Sequence, residues 1–275
     1  MARQRLGQHF LEDAGWREQI ARAIRVSPYG MESPARAETE AYCWIEVGAG
    51  HGEMTEHLLH SGAPVYAVEL DKALIEGLQR LAKKRPNLTV VPGDVLETDL
   101  AAVATGRRIR LYGNLPYYIT SPILHYFFRY ANLIDEIHIV VQWEVAQRLT
   151  ARPGTKSYGY LSVATQFYLR PELVLKIPRG AFRPPPEVDS ALVTLRLPGE
   201  NAKLGLENGD LFLEFVKTCF AQKRKTLANN LRGLAEPART RELLEQLKLR
   251  ADARAEQLGV PALAGLYEAI VKNRE

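Results

Sequence analysis

The chain has 275 residues, 46% of them hydrophobic and 25% charged, with a formal net charge of +4 and a pI of about 9.0. This is the composition of an ordinary soluble globular protein, long enough for one large domain plus a small one. No stretch approaches the roughly 20 apolar residues that span a bilayer, and the basic start Met1-Ala2-Arg3-Gln4-Arg5 lacks the apolar run of a signal peptide, so a cytoplasmic protein without a membrane segment is expected.

In chain order, Asp13 to Val26 carries helical spacing of Trp16, Ile20, Ala23 and Ile24, with Asp13 as N-cap. Ser27 to Ala41, rich in Pro, Gly, Ser and Glu, reads as a loop or variable insertion. Strand and helix patterns then alternate. Strands are predicted at Tyr42–Val47, Pro64–Leu70, Leu88–Val91, Ile109–Tyr112 and Glu136–Val141, and helices at Glu53–Ser61, Lys72–Lys84, Ser121–Tyr130 and Glu144–Thr150. That order implies a mostly parallel sheet covered on both faces. Glu172–Ile177 and Ser190–Leu197 are strand-like and close together, as an antiparallel pair at one edge would be.

After Pro198 the character changes. Gly199–Gly209 reads as a polar linker, and helical patterns follow at Leu211–Ala221, Thr226–Leu231, Arg239–Leu247 and Pro261–Val271. The expected division is therefore 1–198 and a small all-helical domain at 199–275. From Phe215 to Ala235 there is no acidic residue, whereas Lys217, Lys223, Arg224, Lys225 and Arg232 are cationic. A lone basic run is more often a solvated face than a binding site. Cys43 and Cys219, far apart and in apolar contexts, read as two buried reduced thiols rather than a disulfide or a metal site, and no metal is expected.

Ile45-Glu46-Val47-Gly48-Ala49-Gly50-His51-Gly52-Glu53 follows a strand and opens a helix. Glycines there let the backbone turn tightly and approach a ligand. The third glycine of a dinucleotide-binding G-x-G-x-x-G would fall at position 53, which is Glu. The spacing found, G-x-G-x-G with an acidic residue two positions before the first glycine, favours S-adenosylmethionine over NAD. Glu69 ends the second strand, where ribose hydroxyls lie in this fold class, and a carboxylate accepts from both. Asp94, after the third strand, is placed to reach an adenine amino group. The bland alternatives are a helix cap for Asp94 and a solvated strand end for Glu69.

Tyr112-Gly113-Asn114-Leu115-Pro116-Tyr117-Tyr118 follows the fourth strand. An Asn/Asp-Pro-Pro-Tyr/Phe-type segment recurs in enzymes that methylate exocyclic amino groups. The lone pair of adenine N6 is delocalised into the ring, so the amine is a poor nucleophile. The Asn114 side-chain carbonyl and the Leu115 backbone carbonyl are placed to accept from its two N–H groups. Pro116 stiffens the loop, and Tyr117 offers a face for the base. Phe182, ahead of Arg183-Pro184-Pro185-Pro186, is expected to form the other face of an aromatic sandwich that holds the base out of its stack.

On these motifs the chain resembles, across nearly its full length, the KsgA/Dim-type rRNA adenine N6-dimethyltransferases. Gly7-Gln8-His9-Phe10-Leu11 looks like the family's N-terminal motif, and Arg152 to Val163, Phe182 to Ser190 and Gln222 to Leu227 look like further signatures. The resemblance implies a Rossmann-like class I methyltransferase domain followed by a helical domain. It implies two methyl transfers to each of two adjacent adenosines near the 3′ end of small-subunit rRNA in a 30S-type particle, by a monomer. It also implies that His9, Leu11, Gly48, Glu69, Asp94 and Asn114 line the S-adenosylmethionine site, and Lys223, Arg224 and Lys225 are expected to contact RNA. His9 is a departure, since many relatives carry Asn. The rivals are an Erm-type enzyme acting on large-subunit rRNA, an assembly factor whose binding matters more than catalysis, and a small-molecule methyltransferase.

Overall fold

The computed structural model describes residues 9–26, 41–116, 119–206 and 208–271. Gly7, Gln8, Tyr117, Tyr118 and the segment expected as a loop, apart from Ala41, lie outside them. The described residues form two compact units, one of residues 1–146 and 172–197, the other of 147–171 and 198–275.

The first unit is built on a seven-stranded sheet of order β4-β3-β2-β5-β6-β9-β7. Its strands are β2 (Tyr42–Val47), β3 (Val65–Glu69), β4 (Leu88–Pro92), β5 (Arg108–Asn114), β6 (Ile134–Gln142), β7 (Arg170–Ile177) and β9 (Ser190–Arg196). β4, β3, β2, β5 and β6 run parallel, and β9 is antiparallel to β6. Every residue of β2 is buried, as befits a central parallel strand covered on both faces. The two strands expected at one edge are neighbours there. A separate two-residue pair, β1 (Phe10–Leu11) with β8 (Phe182–Arg183), joins residues distant in sequence.

Helices α1 (Ala14–Ala23), α2 (Glu53–Leu59), α3 (Lys72–Ala82), α4 (Leu100–Ala104), α5 (Thr120–Phe128) and α6 (Trp143–Leu149) link the strands. Asp13 caps α1, accepting from Trp16 N at 3.0 Å, and Asp71 caps α3, accepting from Ala73 N at 2.9 Å. The apolar stripe Leu74, Ile75 and Leu78 of α3 is buried. Cys43 and Cys219 are both buried and free, and burial raises the Cys43 thiol to about 11.

The second unit is helical: α7 (Tyr160–Tyr168), α8 (Asn201–Leu204), α9 (Gly209–Cys219), α10 (Leu227–Asn230), α11 (Pro237–Gln246) and α12 (Val260–Val271). One break between the units falls at Leu197/Pro198, beside the expected boundary near Gly199; residues 147–171, expected in the first domain, also belong to this unit. Phe167 of α7 packs its ring 4.9 Å from Phe212 of α9, and Tyr158 donates to the Leu258 carbonyl at 3.0 Å. These contacts tie 147–171 to the C-terminal helices. A short helix, α8, also stands where a polar linker is predicted. Among the described residues no helix is long and apolar enough to cross a membrane.

Candidate active site

In an open α/β sheet, ligands bind beyond the carboxyl ends of the strands where the strand order reverses. Here that point lies between β2 and β5. A cavity of about 240 Å³ opens there, lined by the ends of β2, β3, β4 and β5 together with His9 and Phe10. Gly48, Glu69, Asp94 and Asn114, each expected at the site, line it, as do Leu115 and Pro116. Leu96, Ile119 and Ile123 supply an apolar wall with no sequence motif to announce it.

The polar groups at these tips are fastened to the backbone. Glu69 is only 4% exposed. Its Oε2 accepts from Gly50 N at 2.8 Å, and its Oε1 accepts from Leu70 N and Asp71 N, both at 2.9 Å. One carboxylate thus pins the glycine loop and the turn after β3, so a solvated strand end is excluded. Gly50 sits at φ +62°, and a Cβ there would come within 3.2 Å of the Phe10 ring. Asp94 caps the short turn Val95–Glu97, its Oδ1 accepting from Leu96 N at 2.9 Å, while also lining the cavity. Cap and wall are one residue.

Asn114 ends β5, and its Nδ2 donates to the His9 carbonyl at 2.8 Å. Leu115 N donates to Val140 O at 3.1 Å. A Cβ on Gly113 would stand 2.8 Å from Leu115 Cδ2 and 3.2 Å from Val47 O, so a larger residue there would push on the Leu115 side chain and on β2. The Pro116 carbonyl accepts from Ile119 N and from Thr120 Oγ1, each at 3.2 Å, closing the loop onto α5. Tyr117 lies outside the described residues.

One expectation is corrected. Phe182 has no exposed surface and packs in the core with Leu11, Tyr112, Val140 and Leu192, so its ring presents no face to a base. The cause is strand alternation: in the β1–β8 pair Phe182 sits opposite Leu11 and turns inward, while Arg183 is exposed. Leu11 is buried too, and it lines a smaller side pocket of about 40 Å³ that shares Phe10, Gly48, Gly50 and Asn114 with the main cavity.

That side pocket brings in residues to which the motifs assign no role: Arg17, Glu46 and Tyr112. Arg17 Nη1 donates to the carbonyls of Leu11 (2.9 Å) and Glu12 (2.7 Å), gripping the chain beside β1. Glu46 is buried and accepts from Thr55 Oγ1. Burial raises its carboxyl to about 8; the Thr55 hydrogen bond opposes this, and the nearby Glu69 and Glu53 add to it. Tyr112, opposite Glu46 in the β2–β5 register, has a buried hydroxyl without a hydrogen-bond partner among the described residues, and burial pushes its pKa up. The acidic residue before the glycines was visible in the sequence. Its pairing with Tyr112 becomes readable only once the strands are in register.

In the second unit, Lys223, Arg224 and Lys225 are exposed on a turn closed by Lys225 N to Gln222 O at 3.0 Å. Asn230 Nδ2 braces it, donating to the carbonyls of Cys219 (2.7 Å) and Gln222 (3.2 Å). Lys223 Nζ passes beside Gly159, 3.9 Å from where a Cβ would stand.

Comparison with known proteins returns one family. The model described as "Ribosomal RNA adenine dimethylase" matches residues 1–271. A protein named ribosomal RNA small subunit methyltransferase A from Acidobacterium capsulatum is 41% identical over 228 residues, covering 82% of this chain and 80% of its own. One of the same name from Xanthomonas campestris pv. campestris is 40% identical over 259 residues, covering 94% and 92%. Among solved structures, a dimethyladenosine transferase from Plasmodium falciparum superposes with a TM-score of 0.79 at 23% identity, covering 97% of this chain and 98% of its own, which bears on the fold. The 23S rRNA methyltransferase ErmE gives 0.70 at 25% identity, with 95% and 99% covered.

Proposed function

The chain belongs to the ribosomal RNA adenine dimethylase family, and on that premise we propose that it transfers methyl groups from S-adenosylmethionine to N6 of two adjacent adenosines near the 3′ end of small-subunit rRNA. The observation that carries this reading is that Glu69, Asp94 and Asn114, at the ends of β3, β4 and β5, border one cavity. The small-subunit choice rests on the names of the curated relatives. Work on a 30S-type particle implies the cytoplasm.

The residues present suit the donor. A Cβ on Gly48 would meet no atom within 4 Å, so its absence leaves room at the cavity wall for a ligand. Glu69 Oε2, which has a single backbone partner, accepts from a ribose hydroxyl with its remaining lone pair, and Asp94 accepts from the adenine amino group of the donor. When bound, S-adenosylmethionine supplies an electrophilic methyl on a sulfonium that departs as a neutral thioether.

The rest is positioning. Asn114 Oδ1 and the Leu115 carbonyl accept from the two N–H groups of the target amine, favouring a pyramidal nitrogen with its lone pair aimed at the methyl. The proton leaves readily once the nitrogen is alkylated, so no strong base is required. Tyr117 provides a face for the extruded base. Lys223, Arg224 and Lys225 contact RNA phosphates.

The test is transfer of tritiated methyl to small subunits lacking the modification, followed by nuclease mapping. Label in paired dimethyladenosines near the 3′ end of the small-subunit RNA is expected. Label confined to large-subunit RNA would establish the Erm-type activity instead, and absence of label with active donor would overturn the enzyme reading.

A further inference from the structure

Asn114 carries an amide, and an amide has one accepting and one donating branch. Which branch meets a substrate depends on what holds the other. Here Nδ2 donates to the His9 backbone carbonyl at 2.8 Å. A carbonyl only accepts, so the nitrogen must face His9 and Oδ1 must take the opposite side of the planar group. Flipped, the amide would set N–H against the N–H of an incoming amine, losing an acceptor and adding repulsion.

The carbonyl that makes this choice is itself held. His9 Nδ1 lies 2.7 Å from the Pro184 carbonyl, so that ring nitrogen carries the proton and donates. The tie continues through the pairs Phe10↔Arg183 and Leu11↔Phe182, and through Glu12 N and Asp13 N to Ala181 O at 3.1 and 3.2 Å. His9 and Asn114 both line the cavity. Residue 9 is thus strung between the proline-rich loop and the amide at the tip of β5.

We propose that His9 is a positioning residue for methyl transfer: its ring anchors residue 9 to Pro184, and its carbonyl fixes the Asn114 amide with the oxygen presented to the reacting amine. This rests on the reading of Asn114 as acceptor for that amine, and it assigns the N-terminal strand a part in the chemical step besides covering the cavity.

The experiment compares His9→Ala and His9→Asn, each alone and combined with Asn114→Asp. Single-turnover methyl transfer is measured at saturating donor, with binding of S-adenosylhomocysteine followed by calorimetry in parallel. Asn places an amide N–H donor three bonds from Cα, as His places Nδ1, so it can replace the tether. Asp has two equivalent oxygens and no donor for the His9 carbonyl, so it has no orientation to lose.

His9→Ala is expected to slow transfer about tenfold, the effect of one hydrogen bond of ordinary net strength. His9→Asn should stay within about threefold of wild type, and in the Asn114→Asp background His9→Ala should change the rate by less than about twofold. An equal loss in both backgrounds, or a loss that saturating donor abolishes, overturns the proposal and leaves His9 as a cavity-lining residue only. Wild-type rates in Asn114→Asp and Asn114→Ala would instead sink the reading of Asn114. If Asn114→Asp is too slow to compare, hydrogen exchange of the Asn114 side-chain amide decides. One slow proton in wild type and none in His9→Ala support the proposal, and retained protection overturns it.

Discussion

At the tips of β3 and β5, polar side chains are held before any ligand arrives. Glu69 accepts from three backbone N–H groups and Asn114 Nδ2 is bonded to the His9 carbonyl. In the turn at Gln222–Lys225 the backbone is braced by Asn230, while the cationic side chains stand exposed. The first region fixes atoms; the second fixes only where charge is displayed. Geometry fails abruptly when a single group is removed. Charge displayed in solvent fails gradually and depends on salt.

The contrast breaks most directly at Asn114. Asn114→Ala should lower methyl transfer by about 10²–10³, the range for deleting one preorganised polar group at a reacting centre, with little change in subunit binding measured by filter retention. Glu69→Ala strands the buried Gly50 N–H, which costs about 1–3 kcal/mol when left unpaired, and releases the partly buried Leu70 and Asp71 N–H groups. It should lower the midpoint of urea unfolding and weaken S-adenosylhomocysteine binding about 100-fold by calorimetry.

Glu46 tests what happens at a tip where the carboxyl has a hydroxyl, not the backbone, as its hydrogen-bond partner. With a folded pKa of about 8 against an ordinary 4.5, the native state keeps a proton that the unfolded chain has shed between those values. Stability from this group is full below pH 4.5, falls as pH rises, and is gone above 8. Thermal unfolding of the ligand-free protein should therefore decline less between pH 5 and 8 in Glu46→Gln than in wild type.

On the charged side, replacing Lys223, Arg224 and Lys225 with Ala should weaken subunit binding about tenfold and reduce the magnitude of the log–log salt slope by about 2, at just under one counterion per phosphate contact. An unchanged slope would remove the turn from the RNA interface. The smallest effect is expected from Tyr112→Phe, which deletes a buried hydroxyl without a hydrogen-bond partner among the described residues. Stability by urea unfolding should stay within about 0.5 kcal/mol of wild type or rise slightly.

Much of this was legible from residues alone because the strands end at chemical punctuation. Gly48, Glu69, Gly93-Asp94 and Asn114 follow apolar runs, and the observed strand limits fall within two residues of those read from the pattern. What escaped depends on partners far away in the chain. The helix Tyr160–Tyr168 is rich in aromatic and β-branched residues, poor helix formers alone, and it is secured by burying Val163 and Phe167. Its membership of the second unit follows from contacts to residues beyond 198. Phe182 looked like a base-stacking face because its loop is proline-rich; pairing with Leu11 turns it into the core. Arg17 has no motif, and its role as a grip on the carbonyls of Leu11 and Glu12 emerges only in three dimensions.

The central claim is that the cavity at the strand tips holds a sulfonium donor beside the Asn114 amide. Isothermal titration of purified wild-type protein and Glu69→Ala with S-adenosylmethionine and S-adenosylhomocysteine addresses it most directly. Saturable heat at one site per chain in wild type, lost or greatly weakened in Glu69→Ala, is the predicted result. No heat from either ligand in folded wild-type protein, or equal affinity in the two proteins, would contradict it.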